Sequence, residues 1–191
     1  MTSFDVAKPE TPWVIFGPRD AVEFTEQTAA LRAAGGRVYE VHARDLTDGA
    51  SVCAAFARAA QVPPGYFGWN WDALTDCLDD LHDAVTGGVG IAVVINGADA
   101  LLGADHLKTF VATLCLAGDR ANSEVDPDGN VRDEPVVIEH FVFLLDEVRA
   151  EEFAAGIEDS DLVVRVEGEF LTVALDLDVW RPKEVGRPKV S

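Results

Sequence analysis

The residues with the clearest capacity for recognition chemistry form a row of aspartates. Its members recur at the spacing of one helical face, with one further acid beside them: Asp72, Asp76, Asp80 and Asp83, flanked by Asp79. No lysine or arginine lies between Arg58 and Lys108 to offset these charges. Like charges four residues apart destabilise a helix by roughly 0.2–0.5 kcal/mol per pair. The row is therefore either an anionic surface for a cationic partner or a solvated face of an acidic protein, and the helix alone favours neither.

A loop crowded with aromatic residues precedes this row. Four rings surround one glycine: Tyr66, Phe67, Trp69 and Trp71. We expect Phe67 and Trp71 to pack inward, and Tyr66 and Trp69 to lie at the surface near the aspartates. Aromatic side chains beside charges are typical of the energetic centre of a protein–protein interface. The alternative is that all four rings cover the core beneath the proline-containing turn before them.

The local pattern predicts a helix over residues 71–84 that presents these side chains. Asn70 is a suitable N-cap residue, and Asp72 falls in the first turn, where the helix dipole favours a carboxylate. Apolar residues recur at helical spacing and predict a stripe that faces the core: Leu74, Cys77, Leu78 and Leu81. The aspartates then lie on a face that points away from the core.

The composition indicates an acidic globular protein. Of 191 residues, 48% are hydrophobic, and 34 acidic against 15 basic residues give a formal net charge of −19. Such a charge disfavours direct binding to nucleic acid or anionic membranes and steers a basic partner into contact. No apolar run is long enough for a transmembrane helix, and residues 1–12 do not resemble a signal peptide. Cys53, Cys77 and Cys115 form no CxxC pair, which favours buried thiols in a reducing compartment. We therefore expect a cytoplasmic protein.

Motifs for metal, cofactor or catalysis are weak. Residues 126–130 (DPDGN) lack the glycine and glutamate positions of a calcium-binding EF-hand. The glycines of residues 87–90 precede a strand instead of following one, so they form no dinucleotide-binding fingerprint. We find no serine-based triad motif. The histidines share no ligand spacing, which predicts structural or surface roles: His42, His82, His106 and His140. We expect no catalytic residue, no metal ion and no cofactor.

The order of predicted elements indicates an α/β fold. Strands are predicted where runs are apolar or alternate: residues 13–16, 37–43, 91–95 and 139–145. Helices are predicted where apolar residues recur at helical spacing: residues 20–34, 49–60, 71–84 and 107–117. We expect Asp20 to cap the first helix, with Val22 and Leu31 on its inner face. Strands that alternate with helices predict a parallel sheet with right-handed crossovers.

The ends of the chain differ from its middle. Residues 162–175, with a turn at 167–169, predict an antiparallel hairpin. We expect residues 1–12 to be a loose terminus, residues 121–135 a loop, and residues 181–191 a polar tail. The chain then divides into three parts: a strand–helix extension (1–35), the main α/β domain (36–147), and the hairpin with its tail (148–191).

The run YFGWNWDALTDCLDDL (residues 66–81) is similar to the signature of the barstar family. The matching positions carry the residue types of that signature: Tyr66, Phe67, Gly68, Asn70, Trp71, Asp72, Ala73, Leu74, Asp76, Cys77 and Leu78. The resemblance covers roughly residues 36–146. It implies a barstar-like parallel sheet flanked by helices, with the strand–helix extension and the hairpin added to it. It also implies a non-enzymatic protein that inhibits a basic barnase-type ribonuclease, about one to one.

The resemblance further implies which residues contact the nuclease. In the family, the loop and the acidic helix enter the active site of the nuclease. Carried over, Asp76 takes the place of a substrate phosphate, Asp72 is a second interface aspartate, and Tyr66 is an interface tyrosine. Carboxylates at a fixed spacing can pair bidentately with arginine and imitate phosphates. The whole expected contact set is Tyr66, Phe67, Gly68, Trp69, Asn70, Asp72, Thr75, Asp76, Asp79 and Asp80.

Several positions depart from the family pattern. Thr75 stands where the family prototype has tryptophan, and Trp69 replaces an acidic residue. The predicted helix over residues 107–117 lacks the family's further interface acid, for which Asp119 is the nearest candidate. Thr75 and the terminal extensions favour, as an alternative, an immunity protein for a different basic toxin nuclease. A third hypothesis is an α/β binding module or enzyme with a ligand cleft at the carboxyl ends of the strands.

Overall fold

The described strands form a single mixed sheet. The computed structural model describes residues 4–63, 66–81, 89–123 and 136–179. Its strands are β1 (Val14–Pro18), β2 (Arg37–His42), β3 (Ile91–Asn96), β4 (Glu139–Leu145), β5 (Leu162–Glu167) and β6 (Phe170–Leu175). Their order is β2-β3-β4-β1-β6-β5. The first four of these are parallel to one another, whereas β6 is antiparallel to β1 and β5 is antiparallel to β6. The predicted α/β fold with a C-terminal antiparallel hairpin is confirmed.

Helices cover both faces of this sheet. Within the described ranges they are α1 (Val22–Ala33), α2 (Gly49–Ala60), α3 (Trp71–Asp80), α4 (Leu107–Ala121) and α5 (Ala150–Ile157). Side chains alternate along the strands, so Val14 and Phe16 join the larger core with α2, α3, α4 and α5. Ile15 faces the opposite side, where it joins a smaller cluster with Phe24 of α1. None of the described helices combines the length and apolarity needed to cross a lipid bilayer.

Strand β1 lies inside the sheet, although it comes from the N-terminal part of the chain. It pairs with β4 on one side and with β6 on the other. Phe16 is opposite Phe143 in the register with β4, and their rings stack with centroids 4.2 Å apart. The N-terminal strand and the C-terminal hairpin are thus continuous with the sheet that carries β2, β3 and β4.

The start of α1 differs from the sequence-based expectation. Asp20 does not cap this helix, which begins after Ala21 without a side-chain cap, and Val22 is exposed. The buried residues of α1 follow a different stripe: Phe24, Thr28 and Leu31. Val22 and Leu31 are nine residues apart, which places them on opposite sides of a helix, so Val22 faces solvent and the Phe24 ring takes the core position.

The N-terminal segment was expected to be loose, and for residues 4–6 this expectation is wrong. Phe4 and Val6 are buried in the smaller cluster, and the Phe4 ring stacks on Phe24 at a centroid distance of 5.5 Å. The Gln27 side chain accepts a hydrogen bond from the Val6 N–H (3.0 Å) and donates one to the Phe4 carbonyl (3.2 Å). Contacts distant in sequence therefore fix this segment.

Helix α5 was not predicted, and α4 is longer than predicted. Helix α5 has only 8 residues, of which Ala150, Phe153 and Ile157 are buried. Two turns carry too few apolar repeats for a clear periodic signal. Helix α4 continues to Ala121 instead of ending at residue 117. The predicted end of the third helix (82–84), most of the predicted loop (124–135) and the predicted tail (181–191) lie outside the described residues.

Strand β4 carries a buried histidine. The His140 Nε2–H donates to the Glu10 carbonyl (3.2 Å), and the ring packs on Trp13 at a centroid distance of 5.2 Å. Nδ1 is buried with no hydrogen-bond partner in the described part of the chain. Burial lowers the pKa of His140 from 6.5 to about 4, against weaker opposing effects of the Glu10 carbonyl, the Asp5 carboxylate and the Val6 backbone.

This buried imidazole predicts a loss of stability in mild acid. The unfolded chain protonates His140 below pH 6.5, whereas the folded chain does not until about pH 4, so stability falls as the pH drops through this window. From pH 7 to pH 5 the expected contribution is about 2 kcal/mol of unfolding free energy. We expect H140Q, which keeps an N–H donor but does not titrate, to lose less stability over this range in urea denaturation. An equal pH dependence in wild type and H140Q would contradict the assignment.

Candidate functional site

Asn70 joins the aromatic loop to the start of α3. Its Oδ1 accepts a hydrogen bond from the Ala73 N–H (2.8 Å), and its carbonyl accepts one from the Leu74 N–H (3.0 Å). The Cys53 thiol of α2 lies 3.6 Å from the same carbonyl. The predicted N-cap is confirmed, and it fixes the direction in which α3 leaves the loop.

Gly68 allows the loop to fold closely over the first turn of α3. Its backbone φ is +58°, a left-handed conformation that side chains disfavour. A Cβ atom at this position would lie 2.7 Å from the Cβ of Ala73. Both the backbone conformation and the close approach therefore require glycine here.

The four rings of the loop divide between core and surface as the pattern predicts. Phe67 is buried. Trp71 packs against the core, with its ring centroid 6.2 Å from His106 and 6.0 Å from Phe110 at the start of α4. Tyr66 and Trp69 are 48% and 71% exposed. The loop thus offers two aromatic side chains to solvent while the other two hold it in place.

The first two aspartates of the row project into solvent from α3. The predicted apolar stripe is buried: Leu74, Cys77 and Leu78 on α3, and Leu81 directly after it. Asp72 and Asp76 are exposed on the other side, and the Asp76 side chain retains 77% of its accessible surface. Residues four apart on a helix have Cβ atoms about 5–6 Å from each other. Asp79 and Asp80 belong to the same helix, but their side chains and Asp83 lie outside the described part.

Two residues of the expected contact set have almost no surface to offer. Phe67 is buried, and Thr75 is 3% exposed, with its Oγ1 donating to the Trp71 carbonyl (3.3 Å). Thr75 follows Trp71 by one helical turn and shares its inward side of α3. Both side chains support the site from beneath, so the side chains described as open to a partner are Tyr66, Trp69, Asn70, Asp72 and Asp76.

Arg120 lies beside the candidate site, and sequence reasoning missed it. Helix α4 packs along α3 and brings Arg120 Nη1 to 3.9 Å from Asp76 Oδ1. The two residues are distant in sequence, so no local pattern relates them. The distance lies at the outer limit of an ion pair, and the high exposure of Asp76 leaves most of its carboxylate open to solvent.

A small hollow lies beside the aromatic loop. It has a volume of about 280 Å³ and is bounded by α2, Phe67 and Trp69. Cys53 lines it, and burial raises the pKa of this thiol, so the sulfur stays protonated at neutral pH. Cys77 and Cys115 are also buried, as predicted. This hollow therefore offers an apolar surface and no nucleophile.

A second hollow of about 270 Å³ lies on the other face, near the carboxyl ends of β3 and β4. This is the place expected for a ligand cleft under the third hypothesis. Its arginines are engaged in the structure: Arg19 pairs with Asp146 (2.6 Å) and Arg32 pairs with Glu40 (3.1 Å). Among the described residues, no group of His, Cys, Asp and Glu is arranged to hold a metal ion.

Comparison with known proteins identifies a family relationship. A family model described as Barstar (barnase inhibitor) matches residues 36–151. The matched segment contains the aromatic loop, the α3 aspartates and Arg120, whereas β1, α1 and the β5–β6 hairpin lie outside it. No curated protein and no solved structure matches the chain.

The fit of Gly68 predicts that G68A destabilises the protein more than a glycine substitution without a clash. Gly168, in the β5–β6 turn, has a similar φ of +63°, but no atom lies within 4 Å of the position that its Cβ would take. The left-handed backbone costs roughly 1 kcal/mol in both variants, and overpacking against Ala73 adds about 1–3 kcal/mol in G68A alone. Urea denaturation measures the difference. Equal losses in G68A and G168A would show that the loop does not depend on this close approach.

Proposed function

The chain belongs to the barstar family, and we propose that it is an intracellular inhibitor of a basic, barnase-type ribonuclease. In this proposal the aromatic loop and α3 block the active site of the nuclease. One observation carries it: two exposed carboxylates lie one turn apart on a capped helix, next to two exposed rings. No residue of this chain needs to react, because the protein acts by occupying a site.

Charge complementarity supports this kind of partner. An enzyme that cleaves RNA binds phosphates with cationic groups, and arginine pairs bidentately with carboxylates as it does with phosphates. As the family resemblance implies, Asp76 takes the position of a phosphate, and Asp72 supplies a second negative group one turn away. The net charge of −19 accelerates encounter with a basic protein.

Preorganisation of the site supports tight binding. The Asn70 cap and the buried stripe of α3 hold the backbone at both aspartates before a partner arrives, so little backbone freedom is lost on association. Tyr66 and Trp69 offer large rigid side chains beside the charges. Residues of this type contribute most of the binding energy in many interfaces.

Two features favour a related but different basic nuclease as a second candidate target. Thr75 is buried where the family prototype has tryptophan, and Trp69 is 71% exposed where the prototype has an acidic residue. Compared with the family prototype, the surface around the aspartates is therefore more apolar at Trp69 and lacks an aromatic ring at Thr75. The chemistry of the partner stays the same, namely a basic nuclease bound about one to one in the cytoplasm.

Titration into a barnase activity assay tests the proposal. We expect wild type to inhibit and D76A to raise the inhibition constant at least about 30-fold, since loss of a central charged contact costs about 2 kcal/mol or more. E26A is the matched control, because Glu26 is an exposed acid in the middle of α1, on the other face of the sheet. We expect E26A to inhibit within about twofold of wild type.

Three results would each contradict a different part of the proposal. Full barnase activity at a tenfold excess of wild type would exclude the barnase-type target and leave a different basic nuclease, to be sought in a panel of such toxins. Equal inhibition by D76A and wild type would contradict the central position of Asp76. Equal increases of the inhibition constant in D76A and E26A would show that inhibition depends on the net charge and not on the position of Asp76.

A further inference from the structure

We infer that Arg120 is an intramolecular competitor for Asp76, a cation of this chain that lowers the affinity of the acidic surface for cations of a partner. This inference deepens the proposed function and rests on it, because it concerns the same carboxylate. It assigns to Arg120 a role in the choice between cationic partners, whereas Asp72 and Asp76 attract any of them.

The geometry places Arg120 where it must affect any cation that binds Asp76. Its Nη1 lies 3.9 Å from Asp76 Oδ1, and its side chain is only 35% exposed. The guanidinium therefore approaches the carboxylate from the α4 side, while the 77% exposed Asp76 side chain remains open to a partner from the solvent side. Both cations compete for the field of a single negative charge.

Binding of a partner can proceed in two ways, and both weaken it. If Arg120 moves away, its attraction to Asp76 is lost. If Arg120 stays, two guanidinium groups lie beside one carboxylate and repel each other. A partner arginine that forms two short hydrogen bonds can overcome this competition, whereas a single lysine ammonium gains less. Arg120 thus favours partners with a well-aligned arginine over partners with diffuse positive charge.

Arg120 also has a purely structural role that the experiment must separate from this one. It lies in the last turn of α4, where a positive side chain stabilises the helix dipole. Arg32 is a matched control, because it lies in the last turn of α1, pairs with Glu40 at 3.1 Å and contacts the opposite face of the sheet. R120Q and R32Q change the net charge equally, so long-range steering changes equally.

The test compares R120Q with R32Q in barnase inhibition at low and high salt. We expect R120Q to lower the inhibition constant about two- to fivefold relative to R32Q, as for removal of a partly exposed competing charge. This gain should shrink at about 500 mM salt. It should also vanish in the D76N background, because the competition acts through Asp76. Equal or weaker inhibition by R120Q would overturn the inference, and weaker inhibition would assign Arg120 a positioning role for Asp76.

A second probe keeps this test independent of the nuclease. Hexa-arginine and hexa-lysine peptides can be titrated against each variant by tryptophan fluorescence, to which the exposed Trp69 contributes beside three other tryptophans. We expect R120Q to bind both peptides more tightly than R32Q, with the larger gain for hexa-lysine. If barnase is not inhibited but R120Q binds the peptides more tightly, the barnase-type target is wrong and the competition by Arg120 is supported. If barnase is inhibited but R120Q binds the peptides no more tightly than R32Q, the competition by Arg120 is wrong and the inhibitor proposal is supported.

Discussion

The site depends on holding like charges in the open on a short helix. Repulsion between Asp72 and Asp76 opposes the helix, and α3 contains no basic residue to offset it. Burial of the apolar side of the helix and the Asn70 cap stabilise it against this repulsion. Packing thereby holds two aspartates one helical turn apart at the surface, an arrangement that an isolated peptide of this sequence would not maintain.

The rest of the fold serves this helix through α4 and the sheet. Rings at the start of α4 pack on Trp71, and the same helix carries Arg120 to Asp76. The strands within residues 36–151 are β2, β3 and β4, and β4 would be an edge strand of that sheet if β1 did not pair with it. Segments outside the family match thus complete the sheet on which the site is built, and they cover an edge that would be open to unwanted pairing.

Local spacing predicted α3 and its loop well and the start of α1 poorly, and it carried no information on contacts between distant segments. The Asn70 cap, the buried stripe of α3 and the division of the four rings all follow from spacing within a few residues. The burial of Phe4 and the approach of Arg120 depend on segments that meet only in the folded chain, whereas α5 is too short to give a clear periodic signal. The position of Thr75 on α3 was predicted from local spacing. Its burial was not, because it depends on the segments that pack against the helix.

The central claim is that a basic nuclease binds the surface formed by the aromatic loop and α3. Its most direct test is the NMR chemical-shift map of the ¹⁵N-labelled chain on addition of unlabelled, inactive barnase. The account predicts that the largest changes fall on residues 66–78, including the indole N–H of Trp69, and that α1 is unaffected. Changes centred on α1 or on the β5–β6 hairpin, with residues 66–78 unchanged, would contradict it.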